Sequence, residues 1–247
     1  MKRLLAVAAA LVAVLAVTGA APPAVLLGGE VRRLPTEERV VALTFNAAWD
    51  ETGLDAVLAE LRGRGAPATF FPTGQFAEQH PAAVRAMADA GHGLGNHSYS
   101  HPHFTGLTAP QARAEVLRAD AAIRGAGGAE PLPFFRFPYS ETTPQRIAEV
   151  NALGFADLEF TADTNGYLGP AAGMTAAKAV DRALAALTPG AVLQLHVGTP
   201  DETPGRRCLD AEALPRIIDA VRDRGYRILD LRELLTEDRA GSPPRRT

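Results

Sequence analysis

Short apolar runs alternate with amphipathic segments along most of the chain, beginning at Val40. The apolar runs are five to seven residues long and predict buried strands, whereas the segments between them show helical spacing with Pro near the start or Gly near the end. The predicted strands are VVALTF, ATFFPTG, FFRFP, FADLEF, GAVLQLH and YRILDL. An alternation over about seven units predicts an α/β domain with a mostly parallel sheet, closed or nearly closed into a barrel.

Polar residues that could take part in catalysis or metal binding lie at or near the ends of these strands. His97 and His101 lie in GNHSYSH, Arg136 lies within FFRF, Asp163 follows FADLEF, and His196 ends GAVLQLH. Chemistry gathers at the carboxyl ends of the strands in barrels of this class. We therefore expect these side chains to meet in one site.

Each residue also has an ordinary structural interpretation. The four-residue spacing of His97 and His101 would place both rings on one face of a helical turn, where two neutral imidazoles can bind a zinc-like ion. Two surface or capping histidines are the alternative. His196 could be a buried core histidine, Arg136 half of a structural ion pair, and Asp163 the start of a turn.

The two ends of the chain have a different composition from the centre. Residues 1–20 combine Lys2 and Arg3 with an apolar run and small residues, which predicts a secretory signal peptide or, alternatively, an uncleaved membrane anchor. Residues 21–37 are predicted to be a linker, 38–236 the folded domain, and 237–247 a disordered tail. We expect a secreted or cell-surface protein on either interpretation of the N-terminus.

The net charge and the number of cysteines limit the partners and the disulfide bonds that can be expected. The net charge is −3 and Lys and Arg form no long run, so nucleic acid is not an expected partner. A neutral substrate such as a glycan suits this balance better, and we expect a monomer. Cys208 is the only cysteine, so no intrachain disulfide can form.

The order of the motifs resembles that of the polysaccharide deacetylase family, over roughly residues 38–235. NHSYSH resembles the family's N-H-[ST]-x-x-H metal motif, RFPYS its R-x-P-Y motif, DTNGY a weakened D-x-x-D-W motif, and LQLH its L-x-x-H motif. The resemblance implies a deformed (β/α) barrel with about seven repeats. It also implies a divalent metal, Zn²⁺ or alternatively Co²⁺, and removal of acetyl groups from an N- or O-acetylated polysaccharide such as peptidoglycan or chitin-like oligomers.

The resemblance assigns roles to individual residues. His97 and His101 would bind the metal, and His196 would be the general acid, held by Asp163. Arg136 belongs to the catalytic set. On the substrate side, the backbone N–H of Tyr139 would stabilise the oxyanion, and Leu193 and Tyr167 would wall the pocket for the acetyl methyl group.

The first strand departs from the family pattern. The family's T-F-D-D-G supplies a base and a third metal ligand, but here Thr44 and Phe45 are followed by Asn46 and Ala47. We expect Asp50, or less favourably Glu51, to reach back and supply the missing carboxylate as a ligand and catalytic group. Asp50 as an ordinary helix N-cap is the alternative.

Two further functional classes stay open beside an active deacetylase. The chain could be a glycan-binding relative that has lost hydrolysis, because Asn46 has no useful basicity and Ala47 cannot bind a metal. It could also be an exported module that acts through partner proteins, with a vestigial groove.

Overall fold

The computed structural model describes residues 20–200 and 207–235. The predicted tail and all but the last residue of the predicted signal or anchor lie outside these ranges. Within them, no helix is long and apolar enough to cross a bilayer.

A parallel sheet forms the centre of the domain, as the alternation predicts. Within residues 20–200 and 207–235, six strands belong to it: five lie in the order β3-β2-β1-β7-β6, and β8 pairs with β1. Strands β4 and β5 form a second parallel pair, which an isolated bridge between Asn96 and Phe135 connects to the chain following β3. The strands are β1 Val40–Ala47, β2 Thr69–Pro72, β3 Gly93–Leu94, β4 Phe134–Phe135, β5 Ala156–Asp157, β6 Ala162–Asp163, β7 Ala191–His196 and β8 Arg227–Leu229.

Seven α-helices in the described ranges connect the strands. Threonine precedes four of them and caps their first turns; Thr73, for example, accepts a hydrogen bond from the backbone N–H of Phe76. The helices are α1 Leu54–Gly63, α2 Gly74–Gln79, α3 Pro81–Asp89, α4 Ala109–Gly127, α5 Pro144–Ala152, α6 Ala176–Ala185 and α7 Asp210–Asp223.

The two faces of the central strands have different partners. In β1, Val41, Leu43, Phe45 and Ala47 belong to the large apolar core that includes helix residues, because side chains alternate along a strand. Val40 and Ala42 pack in a second apolar cluster on the other face. On that second face the strand ends in polar Thr44 and Asn46. Because this face of β1 becomes polar towards its carboxyl end, the candidate site lies at that end of the strand.

The segment predicted as a linker is partly built into the domain. Leu26 and Leu34 are 1% exposed and lie in the second apolar cluster. Val31 forms a bridge with Leu158, and Arg33 with Ala191. The prediction of a linker over 21–37 is therefore corrected: its residues Leu26 and Leu34 are buried members of the second cluster.

Candidate functional site

A cleft of 450 Å³ opens at the carboxyl ends of β1, β6 and β7. It brings together most of the residues that the sequence singled out. Its walls are formed by Asn46, Ala48, Trp49, His97, His101, Phe137, Tyr139, Ser140, Phe160, Asp163, Tyr167, Gln194, His196 and Pro200.

His97 and His101 are adjacent in the cleft, but no helical turn presents them. Their ring centroids are 4.8 Å apart, at an interplanar angle of 79°. The segment between them is irregular, with left-handed backbone at Ser98 (φ 66°) and His101 (φ 57°). The expectation of a helical turn is wrong, and the pair is formed by a tight loop instead.

Hydrogen bonding fixes the tautomer of neutral His97. Nδ1 lies 2.8 Å from the carbonyl oxygen of Arg136, which can only accept, so Nδ1 carries the proton. Nε2 therefore presents a lone pair, and the side-chain amide nitrogen of Asn46 donates to it at 3.2 Å. The nitrogen that would bind a metal is thus already engaged by an N–H group.

Asn46 is the centre of a directional network. Arg136 Nη1 donates to its Oδ1 at 3.0 Å, which orients the amide nitrogen towards His97 and towards Gln194 Oε1 at 3.3 Å. Gln194 in turn donates from Nε2 to Asp163 Oδ2 at 2.9 Å. Arg136, Asn46, Gln194 and Asp163 are thus joined in one series of hydrogen bonds, which strengthens each of them.

Arg136 lies beneath the cleft and does not line it. It is 1% exposed, and it donates to Thr44 Oγ1 at 3.0 Å and to the carbonyl oxygens of Leu158 and Glu159 at 3.0 and 3.2 Å. Burial lowers its pKa to about 10, so the guanidinium remains charged at neutral pH. Its contacts make it an organiser of Asn46.

Both loop histidines are neutral at physiological pH. Burial, followed by the neighbouring His101, holds the pKa of His97 well below its usual value. Burial likewise lowers the pKa of His101 to about 4. His101 Nδ1 has no hydrogen-bond partner among the described residues. Neutral imidazoles suit a metal, but two of them do not complete a site.

The remaining donors do not fit the family's metal. The described residues contain no group of three or more His, Cys, Asp or Glu side chains able to hold an ion. Ala47, at the position of the family's third ligand, is 0% exposed and packs in the large core, facing away from the cleft. Catalytic zinc sites normally have three protein ligands, and here the third is absent while Asn46 competes for His97. The donor set therefore disagrees with a resident metal.

Asp50 does not supply the missing carboxylate. Its Oδ1 accepts from the backbone N–H of Thr52 at 2.8 Å and from the Thr52 hydroxyl, and its Oδ2 accepts from Thr199 N and Oγ1 at 2.8 and 3.0 Å. The residue before α1 is Gly53, so Asp50 is not the helix N-cap either. Asp50 instead fastens the β1–α1 loop to the β7–α7 loop. Glu51 is also directed elsewhere, since it pairs with His80 at 3.5 Å.

His196 lies in the cleft between two carboxylates. Its Nδ1 is 3.9 Å from Asp163 Oδ1, the partner that the resemblance implies, and 3.6 Å from Asp210 Oδ2. Asp210 also accepts the backbone N–H of His196 at 2.8 Å and is 0% exposed. The ring of Tyr167 covers His196 at 4.4 Å between centroids, which agrees with its expected place in the wall.

Leu193 is not a wall of the cleft. It is 0% exposed in the large core, because alternation along β7 directs Leu193 and Leu195 to the helix side. The same alternation brings Gln194 and His196 to the cleft. The sequence interpretation missed Gln194, although a polar residue two positions before His196 in an apolar strand was the available signal.

Tyr139 stands at the rim of the cleft on a left-handed turn. Its φ is 58°, an uncommon conformation for a residue with a side chain, and that side chain is 54% exposed. Glu159 holds the turn by accepting from the backbone N–H of Phe137 at 3.2 Å and from Ser140 Oγ at 2.9 Å. The ring of His103 stacks on Tyr139 at 4.1 Å and 9°.

Comparison with known proteins agrees with the motif order. The sequence profile of the family described as "Polysaccharide deacetylase" matches residues 33–157. A chitooligosaccharide deacetylase of Bradyrhizobium sp. (strain ANU 289) is 32% identical over 205 residues, covering 79% of this chain and 90% of the relative. A peptidoglycan-N-acetylglucosamine deacetylase of Bacillus cereus is 28% identical over 198 residues, covering 80% and 68%.

A solved structure has the same fold. A pseudoenzyme of carbohydrate esterase family 4 from Bacillus anthracis superposes with a TM-score of 0.74 at 23% identity, covering 85% of this chain and 70% of the other. A mutant of that pseudoenzyme has restored enzymatic activity. With the profile and the relatives above, the fold and the order of the site motifs show that this chain belongs to the polysaccharide deacetylase family.

Proposed function

We propose that this chain binds an N-acetylated glycan in the cleft and does not carry out the metal-dependent deacetylation of its relatives. The observation that carries the proposal is the hydrogen bond from Asn46 to Nε2 of His97. At that position the family has a carboxylate that serves as base, whereas an amide cannot take a proton near pH 7. A neutral amide thus stands where the family has a carboxylate, and it is held by hydrogen bonds to Arg136, His97 and Gln194.

The walls of the cleft suit a sugar ring with an acetamido group. Trp49, Tyr139 and Tyr167 bring aromatic rings to the cleft, and Gln194 and His196 bring polar atoms that can pair with amide and hydroxyl groups. A mostly apolar concave site with a few convergent polar groups is the usual form of a small-ligand pocket. Relatives act on chitooligosaccharides and on peptidoglycan, so N-acetylglucosamine-containing oligomers are the proposed ligands.

Deacetylation is the competing function, and it is the one that the sequence favoured. It requires Zn²⁺ or Co²⁺ on His97 and His101 with a third ligand, and a residue that activates water. Family membership supports deacetylation. Against it, the carboxylate expected to serve as the third ligand, that of Asp50, is hydrogen-bonded to Thr52 and Thr199 instead.

One experiment separates the two functions. The purified chain is incubated with N-acetylated chito-oligosaccharides and with peptidoglycan fragments, each with chelator or with added zinc or cobalt, and both binding and released acetate are measured. The proposal predicts saturable binding under all conditions and no acetate. Acetate release that depends on the metal would establish the deacetylase instead.

Three further properties are proposed with this function. The Lys2-Arg3 start and the apolar run after it support export, with cleavage near Ala20, and N-terminal sequencing of the exported protein tests this. The bridge between Asn96 and Phe135 supports a deformed (β/α) barrel with about seven repeats, since it continues the parallel order from the central sheet to β4. We also propose a monomer, for which light scattering is the test.

A further inference from the structure

Asp210 and Gly166 share one space in the structure. A Cβ atom built on Gly166 would overlap the carboxylate of Asp210. The backbone fixes this proximity, because Leu209 N–H donates to the carbonyl oxygen of Gly166 at 3.0 Å immediately before α7 begins. Gly166 stands where the D-x-x-D-W pattern has its second aspartate, so a carboxylate from another element fills the place of the missing one.

Asp210 holds His196 by two kinds of contact. Its Oδ2 accepts the backbone N–H of His196 at 2.8 Å and lies 3.6 Å from the ring Nδ1. Cys208 adds a third link, since its Sγ lies 3.3 Å from the carbonyl oxygen of His196 and 3.5 Å from Asp210 Oδ2. Asp210 Oδ1 and His196 Nδ1 are both buried, and neither has a hydrogen-bond partner among the described residues.

Asp163 is less suited to that task. Its Oδ1 accepts from the backbone N–H of Asn165 at 2.8 Å, and its Oδ2 accepts from Gln194 at 2.9 Å. Its distance to His196 Nδ1 is the longer of the two, at 3.9 Å. Asp163 therefore belongs to the Asn46–Gln194 network.

We propose that Asp210, and not Asp163, is the positioning residue of His196, and that its carboxylate occupies the space that a side chain at position 166 would need. A carboxylate beside Nδ1 keeps the proton on that nitrogen in the neutral ring and leaves Nε2 as the nitrogen available to the cleft. Glycine is required at 166 because any side chain there would displace the carboxylate. The proposal does not depend on whether the cleft binds or hydrolyses a glycan.

The test uses the free protein and needs no ligand. The tautomer of His196 is read at pH 8 from the ring nitrogen chemical shifts of labelled protein, with assignment by His196→Gln. The wild type should show the Nδ1–H form. Asp210→Asn, which keeps the volume of the side chain, should shift the ring towards the Nε2–H form, whereas the matched variant Asp163→Asn should leave the tautomer unchanged.

An exchange of the two residues gives a second, independent readout. Gly166→Asp alone should lower the melting temperature by about 5 °C or more, because two carboxylates would overlap. Asp210→Gly should lose the Nδ1–H tautomer, and the double variant Gly166→Asp/Asp210→Gly should recover both the tautomer and most of the stability. An unchanged His196 tautomer in Asp210→Asn, or a shift in Asp163→Asn alone, would overturn the proposal.

Discussion

The amide nitrogen of Asn46 lies 3.2 Å from Nε2 of His97 and donates to it. Zinc bonds to nitrogen and oxygen are about 2.0–2.2 Å long, so two atoms at this separation could be ligands of one tetrahedral ion. One of the two is an N–H donor that cannot bind a cation. The hydrogen bond therefore occupies the space that an ion bound to His97 Nε2 would need.

Asn46→Asp should free Nε2 of His97 and place a carboxylate beside it. The carboxylate keeps its acceptor role towards Arg136 and releases the lone pair of His97, so zinc affinity should rise by about 10-fold or more over the wild type. Calorimetric titration of zinc measures the change, with Asn46→Ala as the control that frees His97 without adding a ligand. Equal zinc affinity in wild type and Asn46→Asp would contradict this assignment.

Ala47→Asp and Ala48→Asp form a matched pair on opposite faces of the strand end. Ala47 packs in the large core, so an aspartate there should cost about 3 kcal/mol or more of unfolding free energy and add no zinc affinity. Ala48 lines the cleft, and an aspartate there should cost about 1 kcal/mol or less. In the Asn46→Asp background, only Ala48→Asp should strengthen zinc binding further; the reverse order would mean that the strand is shifted by one residue.

Asp50→Ala should remove the hydrogen bonds between the β1–α1 loop and Thr199 without changing the affinity for zinc. Burial raises the pKa of Asp50, but hydrogen bonds from Thr52 and Thr199 outweigh it and leave the pKa below its usual value. Losing these bonds should cost about 1–3 kcal/mol near pH 7. A group with a depressed folded pKa stabilises above its unfolded pKa, so the difference between variant and wild type should shrink as pH falls below about 4. A loss of zinc in Asp50→Ala would restore its expected role as a ligand.

Asp157→Asn should stabilise the protein increasingly as pH rises. Asp157 is 0% exposed, and neither carboxylate oxygen has a hydrogen-bond partner among the described residues. Burial, with Glu159 as the next cause, raises its pKa to about 9. Between the pKa of an aspartate in the unfolded chain, about 4, and pH 9, the unfolded chain gives up this proton more readily than the folded chain. Rising pH therefore lowers the unfolding free energy of the wild type by up to about 1.4 kcal/mol per pH unit. Denaturant unfolding at pH 5, 7 and 8.5 should show a growing advantage of the variant; a constant difference would mean that Asp157 is ionised throughout.

Local patterns in the sequence predicted the α/β class, the parallel sheet and most elements. The segment APQARAEVLRADAAIRGAG, with Thr-Ala-Pro at its start and Gly at its end, predicts a helix with both of its ends marked, and α4 covers the same residues, Ala109–Gly127. It missed β3, β6 and α2, which are too short for a period to develop. The shared location of His97, His101 and His196 also followed from their places at strand ends.

The wrong predictions of site residues arose where the direction of a side chain decides whether it enters the cleft. Leu193 was expected in the cleft wall, but the alternation of side chains along β7 directs it into the large core. Asp50 could reach the cleft by distance along the chain, but Thr199, almost 150 positions away, holds its carboxylate. Asp210 sits at the start of a helix and touches His196 only through tertiary packing, which no local pattern reveals.

The most direct test of the central claim is a calorimetric titration of an N-acetylated chito-oligosaccharide into the metal-free wild-type chain. The ligand is then recovered, and its mass is determined by mass spectrometry. Binding through the aromatic walls and the Asn46 network predicts a saturable isotherm in the presence of chelator, unchanged by zinc, with the ligand recovered intact. An isotherm that appears only after zinc is added, together with ligand that has lost acetyl groups, would contradict it.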